Sequence, residues 1–244
     1  MQSLNAGSLF FEVLKALSEW IYRHFGCAQR QIFVVRQNRR SLDSRTGTVY
    51  LTLVRAAFKE WAVIVDALGR GDQIIILRKG GISEGPGGFK MEHPHFLLFP
   101  TLFHQQRDSV LPAAQNRFDQ LAPHFPPSGK LRLEFFAETA ASAKLNSLSD
   151  ARALGGQHVW RDEVIAERFD WGHDKSIFAF AVRVFQLPHP VELPLLPAYA
   201  GCKSWVELDH DLPTDMACPV LSNAAFAVKL DAFRAALGDA ITTR

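Results

Sequence analysis

The stretch from Gln73 to Gln105 constrains the fold more than any other part of the chain. It contains two short apolar segments, 74–77 and 96–99, separated by a segment (80–88) with five glycines and one proline. Short apolar runs bounded by glycine are typical of buried strands. A segment so rich in glycine predicts a loop or a wide hairpin turn. We therefore expect two neighbouring strands whose ends meet in one place.

Polar side chains follow both predicted strands. The two cations after the first strand would contact a phosphate or carboxylate, and the glycine pair would let backbone N–H groups approach it. The hydroxyl, imidazole and amide after the second strand would orient the ligand. The alternative is a tight turn with solvated basic residues beside an ordinary strand-end network. The predicted ligand-binding residues are Arg78, Lys79, Gly80, Gly81, Thr101, His104 and Gln105.

Charge and hydrophobic content limit the class of protein. With 244 residues and 48% hydrophobic content, the chain can build one substantial core. The formal net charge is +2, from 27 basic and 25 acidic residues. This balance gives no global argument for binding to nucleic acid or a membrane surface, so any such binding must use a local patch.

Three cysteines are spaced far apart and form no CxxC pair: Cys27, Cys202 and Cys218. Neither a disulfide framework nor a cysteine zinc site is favoured, and we expect the later two to be small buried residues. A reducing cytoplasm is the expected location. No apolar run approaches the roughly 20 residues that span a bilayer, so no transmembrane segment is expected.

The chain divides into an N-terminal extension, residues 1–55, and a single globular α+β domain, residues 56–244. The extension combines an amphipathic helix with a basic linker, and a nucleic-acid-binding arm is an alternative interpretation of that linker. Another alternative is that the extension is a start-site artefact.

The predicted domain contains helices and a mixed, curved sheet. Apolar spacing predicts a helix from Ala56 to Leu68, and the prolines predict an extended polyproline-like segment from Pro188 to Pro197. Val159 to Phe169 fits either a strand or a short helix. The other predicted elements are helices at Val110–Phe125 and Ala224–Leu237, a short helical turn at 149–154, and strands at Leu131–Ala140 and Ser176–Leu187. The fold class is therefore α+β, with helices flanking the sheet.

The sequence disfavours three specific kinds of site. His93, His95 and His104 could form a three-histidine metal site, but no acidic residue at ligand spacing joins them, and no metal is predicted. A nuclease motif of the D…(D/E)xK type fails because Leu77 stands where an acid is needed. The phosphate-binding loop G-x-x-x-x-G-K-[ST] is absent, and no G-x-G-x-x-G follows a predicted strand. No cofactor is predicted.

Four segments together resemble an uncharacterised bacterial family known as domain of unknown function 1802. They are Lys59–Ala62, Ile76–Ile82, Phe96–Thr101 and His104–Gln105. The resemblance extends from about residue 58 to residue 237. It implies no established activity, substrate or catalytic residue.

A second resemblance is architectural and concerns PUA-like barrels, including the EVE and ASCH groups. A strand after Gly71-Asp72, the passage from Val182 to Leu193, and Pro219–Ser222 before the last helix are similar to those folds. The resemblance implies a barrel-like sheet and binding of RNA or modified bases. The chain departs from it by lacking the ASCH pattern of Gly-x-Lys followed by Glu-x-Arg, and by carrying the 105–130 segment.

The favoured function is a binding domain for nucleic acid (RNA or DNA) or for a phosphate-bearing, nucleotide-like small molecule. A hydrolase or nuclease is the alternative, with His104 as general acid/base and Arg78 and Lys79 stabilising negative charge. It ranks second because no carboxylate pair or nucleophile is evident. A protein-interaction module that uses Pro188–Pro197 is the third. The oligomeric state stays open.

Overall fold

The computed structural model describes most of the chain from residue 52 onward. The described residues are 52–79, 89, 91–172, 174–238 and the backbone of 241–242. They fall within one unit of the chain, 50–244. Nearly all of the predicted N-terminal extension lies outside the described residues, as do Gly80 and Gly81 of the predicted site.

Eight strands are present among the described residues. They are β1 (Leu53–Trp61), β2 (Ile75–Arg78), β3 (His95–Thr101), β4 (Lys130–Leu145), β5 (Ile177–Pro194), β6 (Trp205–Pro213), β7 (Cys218–Pro219) and β8 (Ile241–Thr242).

Five α-helices and three short 3-10 helices accompany the strands in the same residues. The α-helices are α1 (Ala62–Gly69), α2 (Pro112–Leu121), α3 (Leu148–Ala153), α4 (Asp162–Asp170) and α5 (Asn223–Leu237). The 3-10 helices are His104–Ser109, Ala122–His124 and Pro197–Tyr199. The predicted α+β class is confirmed. None of the helices in the described ranges is both long and apolar enough to cross a membrane.

The strands form one mixed sheet in the order β2-β5-β4-β3-β1-β6, with β7 beside β5 and β8 beside β4. β1 and β3 are parallel, and the other described pairs are antiparallel. The predicted hairpin between β2 and β3 is therefore wrong. All four residues of β2 pair with Phe178–Ala181 of β5. β3 instead lies between β1 and β4.

The sheet is strongly curved. Three strands separate β2 from β1 in the sheet order, yet the guanidinium carbon of Arg78 lies 5.4 Å from the ring centroid of Phe58. The Phe58 ring also lies 5.5 Å from that of Phe180 on β5. Two register shifts in β4, after Leu133 and after Thr139, add the local bending that bulges produce. Curvature thus brings β2 against β1, and no described ladder joins β2 to β6.

Each face of the sheet carries its own hydrophobic core. Along β3, Phe96 and Leu98 enter one core, whereas Leu97 and Phe99 enter the other. This alternation follows from the two-residue period of a strand. The helices α1, α4 and α5 contribute to the first core, and residues of β6 contribute to the second.

The predicted helix from Ala56 to Leu68 is correct only in its second half. Residues 53–61 form β1, and the helix begins at Ala62. Spacing of apolar residues allowed a helix, but pairing with β3 on one side and β6 on the other favours the strand. The helix ends at Gly69, and Gly71 then turns the chain with φ +73°, a conformation that glycine adopts without strain.

The proline-rich segment is also corrected. β5 continues to Pro194 and pairs with β4, so residues 188–194 are strand and not polyproline-like chain. The ladder passes from the Phe135–Gln186 pair to the Leu133–Val191 pair, which leaves 187–190 in a bulge. Bulges tolerate proline because their backbone N–H groups need no ladder partner.

The other predicted elements match the structure well, whereas β6 was not predicted. α2 begins at Pro112, and α5 begins after Ser222, whose hydroxyl accepts a hydrogen bond from the Ala225 N–H at 3.2 Å. Gly238 follows α5 with a positive φ. The open choice at 159–169 resolves as a helix, α4, which begins with two acids.

Candidate functional site

A cleft of about 790 Å³ lies at the carboxyl ends of β1 and β3. Trp61 and Thr101, the last residues of these parallel strands, pair with each other. The carboxyl ends of parallel strands commonly hold ligands. The described residues that line the cleft are Lys59, Glu60, Trp61, Arg78, Lys79, Phe99, Thr101, Phe103, Arg168, Leu195, Leu196, Pro197, Tyr199, Ala200, Gly201, Cys202 and Lys203.

Three of the predicted site residues line this cleft together: Arg78, Lys79 and Thr101. His104 and Gln105 are exposed at the start of a 3-10 helix and are not among the lining residues. Phe103, the residue before them, does line the cleft and is 62% exposed. The structure therefore brings together the cationic part of the predicted site and the strand end, without the imidazole and amide.

Arg78, at the end of β2, is held by the opposite side of the curved sheet. Its Nε donates a hydrogen bond to Ser204 Oγ at 2.8 Å, and its guanidinium lies over the Phe58 ring. The terminal nitrogens make no hydrogen bond with the described residues. A guanidinium fixed through Nε and an aromatic face can direct its other donors at a carboxylate or phosphate.

Glu60, on β1, is 1% exposed and places a carboxyl in the wall of the cleft. Its Oε1 accepts a hydrogen bond from the Trp61 N–H at 2.7 Å, and its buried Oε2 has no hydrogen-bond partner in the described structure. Burial raises the pKa of Glu60, and the charges of Arg78 and Arg168 act in the opposite direction. Glu60 is thus a buried carboxyl whose pKa is influenced by two guanidiniums.

Arg168, on α4, is half-buried in the cleft wall. Its guanidinium carbon lies 4.5 Å from the Trp61 ring centroid and 5.6 Å from that of Trp160. One terminal nitrogen donates to the Leu77 carbonyl at 3.3 Å. Burial lowers the pKa of Arg168 to about 10, with a raising contribution from Glu60 and a lowering one from Arg78. The guanidinium remains charged at neutral pH.

Two further lysines, Lys59 and Lys203, line the cleft. The Lys59 amine donates to the Tyr199 carbonyl and, at 3.1 Å, to the Gly201 carbonyl. The Lys203 amine donates to the Ala198 carbonyl at 2.7 Å. Burial lowers the pKa of Lys59, and the neighbouring charge of Lys203 lowers it further. The loop between β5 and β6 therefore holds both amines at the cleft.

Lys79 has a different environment. Its amine donates to three backbone carbonyls, those of Phe169 (3.0 Å), Asp174 and Ser176 (2.8 Å). An ammonium group has three N–H donors, so all of them are used within the protein. Burial is the main cause that lowers the pKa of Lys79. These contacts tie the end of α4 to the end of β2, and they leave Arg78 as the better-placed cation for a ligand.

Sequence reasoning did not place Lys59, Arg168, Lys203 or Cys202 in a site. α4 carries two acids in its first turn. This signal for a helix start would have predicted a helix that contains Arg168. Cys202, expected to be buried, is exposed with an unpaired thiol and lines the cleft. Its loop has no sequence signal for contact with β1.

His93, His95 and His104, the histidines considered for a metal site, all lie in the described part of the chain. It contains no group of three or more histidine, cysteine or acidic side chains that could hold a metal ion. His93 lies beside Trp205, with ring centroids 5.2 Å apart, and His95 lies beside Phe136, with centroids 6.3 Å apart.

Taken together, the fold and the cleft define an α+β domain with a mixed curved sheet and a cationic cleft at the ends of two parallel strands. The model of the family described as domain of unknown function (DUF1802) matches residues 57–232. The chain belongs to this family, and the match runs from the middle of β1 through most of α5.

Comparisons with curated proteins and with solved structures found no significant match. The architectural resemblance to PUA-like barrels therefore stays a prediction.

Proposed function

We propose that this domain binds an anionic, nucleotide-like ligand in the cleft at the ends of β1 and β3. The observation that carries the proposal is the charge of the cleft walls. Five cationic side chains line the cleft, and Glu60 is the single acid among the described lining residues. An excess of positive charge in a partly enclosed site favours anions because low-dielectric walls strengthen the attraction.

Arg78 and Arg168 are the central binding residues in this proposal. Each guanidinium is fixed by an aromatic ring and one hydrogen bond. Each keeps N–H groups that are not used by the described residues. Such guanidiniums suit phosphate and carboxylate oxygens, which accept paired hydrogen bonds from the planar fork.

The size and apolar lining of the cleft support a small ligand with a planar part. Its volume of about 790 Å³ lies within the range of small-molecule sites, about 300–1,000 Å³. Phe103 is 62% exposed at this cleft, and Tyr199 and Phe99 lie nearby with ring centroids 6.2 Å apart. An exposed aromatic face stacks on a planar base. Because the cleft has the volume of a small-molecule site, a free nucleotide is favoured over a long nucleic-acid strand.

Binding is favoured over the hydrolase alternative because of where the residues lie. His104, the expected general acid/base, is exposed and is not among the cleft residues. The cleft instead supplies cations and aromatic rings, which are groups that hold an anion.

Isothermal titration calorimetry with AMP and ADP tests the proposal. We expect wild-type protein to bind ADP, with an affinity that falls as salt is raised. Arg78→Ala should weaken binding by about 10- to 100-fold, since a charge-assisted hydrogen bond contributes about 1.5–3 kcal/mol.

Arg55→Ala is the matched control, because Arg55 is 44% exposed and pairs with Asp211 outside the cleft. This variant should bind as wild type does. The proposal fails if neither nucleotide binds, or if the two arginine variants weaken binding equally. Oligonucleotides that bind far more tightly than ADP would indicate nucleic acid as the ligand.

A further inference from the structure

Ser204, at the start of the segment that leads into β6, connects three of the cleft cations. Its hydroxyl accepts the hydrogen bond from Arg78 Nε at 2.8 Å, and its carbonyl accepts one from the Lys59 backbone N–H at 2.9 Å. Lys203 is the residue before it. The guanidinium of Arg78 and the backbones of Lys59 and Lys203 therefore meet at one residue.

The charges of the cleft act on one another in sequence. Lys203 and Arg78 both lower the pKa of Lys59, after burial. Arg78 and Arg168 both act on Glu60, and Arg78 acts on Arg168. Lys203, Lys59, Arg78 and Arg168 thus form a series in which each cation influences the next, and Glu60 is influenced by both Arg78 and Arg168.

We propose that the ligand carries at least two linked anionic groups, as in a pyrophosphate or nucleoside diphosphate. One group lies between Arg78 and Arg168, and the second lies between Lys59 and Lys203. This inference rests on the proposed function and specifies the chemical class of the ligand.

Hydrogen-bond donors support two subsites rather than one. Lys79 uses all three of its N–H groups on backbone carbonyls, so it adds charge but no donor. Lys203 uses one N–H and Lys59 uses two on the described residues. Donors therefore remain at both ends of the series, and one phosphate at either end would leave the cations at the other end uncompensated.

Calorimetric titrations of inorganic phosphate and pyrophosphate, in buffer without divalent cations, test the inference. Wild-type protein should bind pyrophosphate at least about tenfold more tightly than phosphate. Lys203→Ala should reduce this preference to about threefold or less while changing phosphate affinity little, because phosphate uses the arginine subsite.

Lys130→Ala is the control, since Lys130 is 58% exposed on β4 and lies outside the cleft. It should keep the full preference. Equal affinity for the two anions would overturn the inference and leave the anion-binding proposal intact. A preference for pyrophosphate over phosphate that is unchanged in Lys203→Ala would have the same consequence. If neither anion binds although ADP does, the inference is overturned and the proposed function stands. If ADP does not bind either, both are overturned.

Discussion

The guanidinium carbon of Arg168 lies 4.5 Å from the centroid of the Trp61 ring. This contact joins α4 to the last residue of β1. A guanidinium over an aromatic face gains about 0.5–2 kcal/mol, with the larger values where water is excluded. Arg168 is also the cation that acts on Glu60 from the α4 side, so one side chain links the wall of the cleft to its buried carboxyl.

Removing Arg168 should destabilise the fold. Arg168→Met leaves Glu60 with Arg78 as the remaining charge of the pair, and a buried charge that loses a partner is costly. We expect the free energy of unfolding to fall by about 2 kcal/mol, measured by urea denaturation at neutral pH. Arg234→Met is the control, because Arg234 is 42% exposed, and it should change stability by about 0.5 kcal/mol or less.

A double-variant cycle sharpens this prediction. Glu60→Gln in the Arg168→Met background should recover part of the lost stability, because the uncompensated carboxylate is then absent. If the two changes are simply additive, the proposed coupling between Glu60 and Arg168 does not exist.

Glu60 should give the protein a distinctive pH dependence. Burial raises the pKa of Glu60 above its ordinary value of 4.5. Between pH 4.5 and the raised pKa, the folded state binds more protons than the unfolded state. This carboxyl therefore makes stability fall as pH rises through that range. Glu60→Gln removes the effect. The difference in stability between wild type and variant, measured by urea denaturation across pH, should therefore change in favour of the variant as pH rises.

Glu192→Gln serves as the comparison, since Glu192 is 57% exposed and pairs with Lys130 on the sheet. Its stability profile should follow the wild-type profile. A Glu60→Gln profile that runs parallel to wild type at every pH would show that Glu60 does not carry the effect.

His158 should act in the opposite direction. It is 5% exposed, and neither ring nitrogen has a hydrogen-bond partner in the described structure. Burial lowers the pKa of His158 to about 4 from 6.5. The unfolded state then binds more protons between these values, so stability on the order of 3 kcal/mol should be lost as pH falls from about 6.5 to about 4. His158→Phe should lose less in this window, whereas exposed His124→Phe should match wild type.

Lys79 and Arg78 should respond differently to substitution. Because the Lys79 amine is occupied by three carbonyls, Lys79→Ala should lower thermal stability but change ADP affinity by less than about threefold. Arg78→Ala should weaken ADP binding by about 10- to 100-fold while changing thermal stability less than Lys79→Ala does. Both are measured by thermal denaturation and calorimetry on the same preparations. Loss of ADP binding in folded Lys79→Ala protein would make Lys79 a ligand contact, as the sequence alone suggested.

The sequence predicted local elements better than their partners. The helices predicted at Val110–Phe125 and Ala224–Leu237 are present as α2 and α5, because caps and prolines act within a few residues. Phe58 was placed in a helix because its spacing fits one, and only pairing with β3 and β6 decides for a strand. Strand pairing is a tertiary property that local spacing does not contain.

The site shows the same division. Arg78 and Thr101 could be found because each follows a predicted strand closely. Their closeness arises from the curvature of the sheet, although β2 and β3 do not pair. Arg168 and Lys203 come from a helix and a loop far along the chain, and packing alone brings them to the cleft.

The most direct test of the anion-binding cleft uses Cys202, whose exposed thiol lines it. The rate at which iodoacetamide alkylates Cys202 is followed by peptide mass spectrometry, with Cys218 of β7, outside the cleft, as the internal reference. We predict that saturating ADP slows alkylation of Cys202 at least about fivefold and leaves Cys218 unchanged, and that this protection is lost in Arg78→Ala. Equal rates at Cys202 with and without bound ADP would contradict the account.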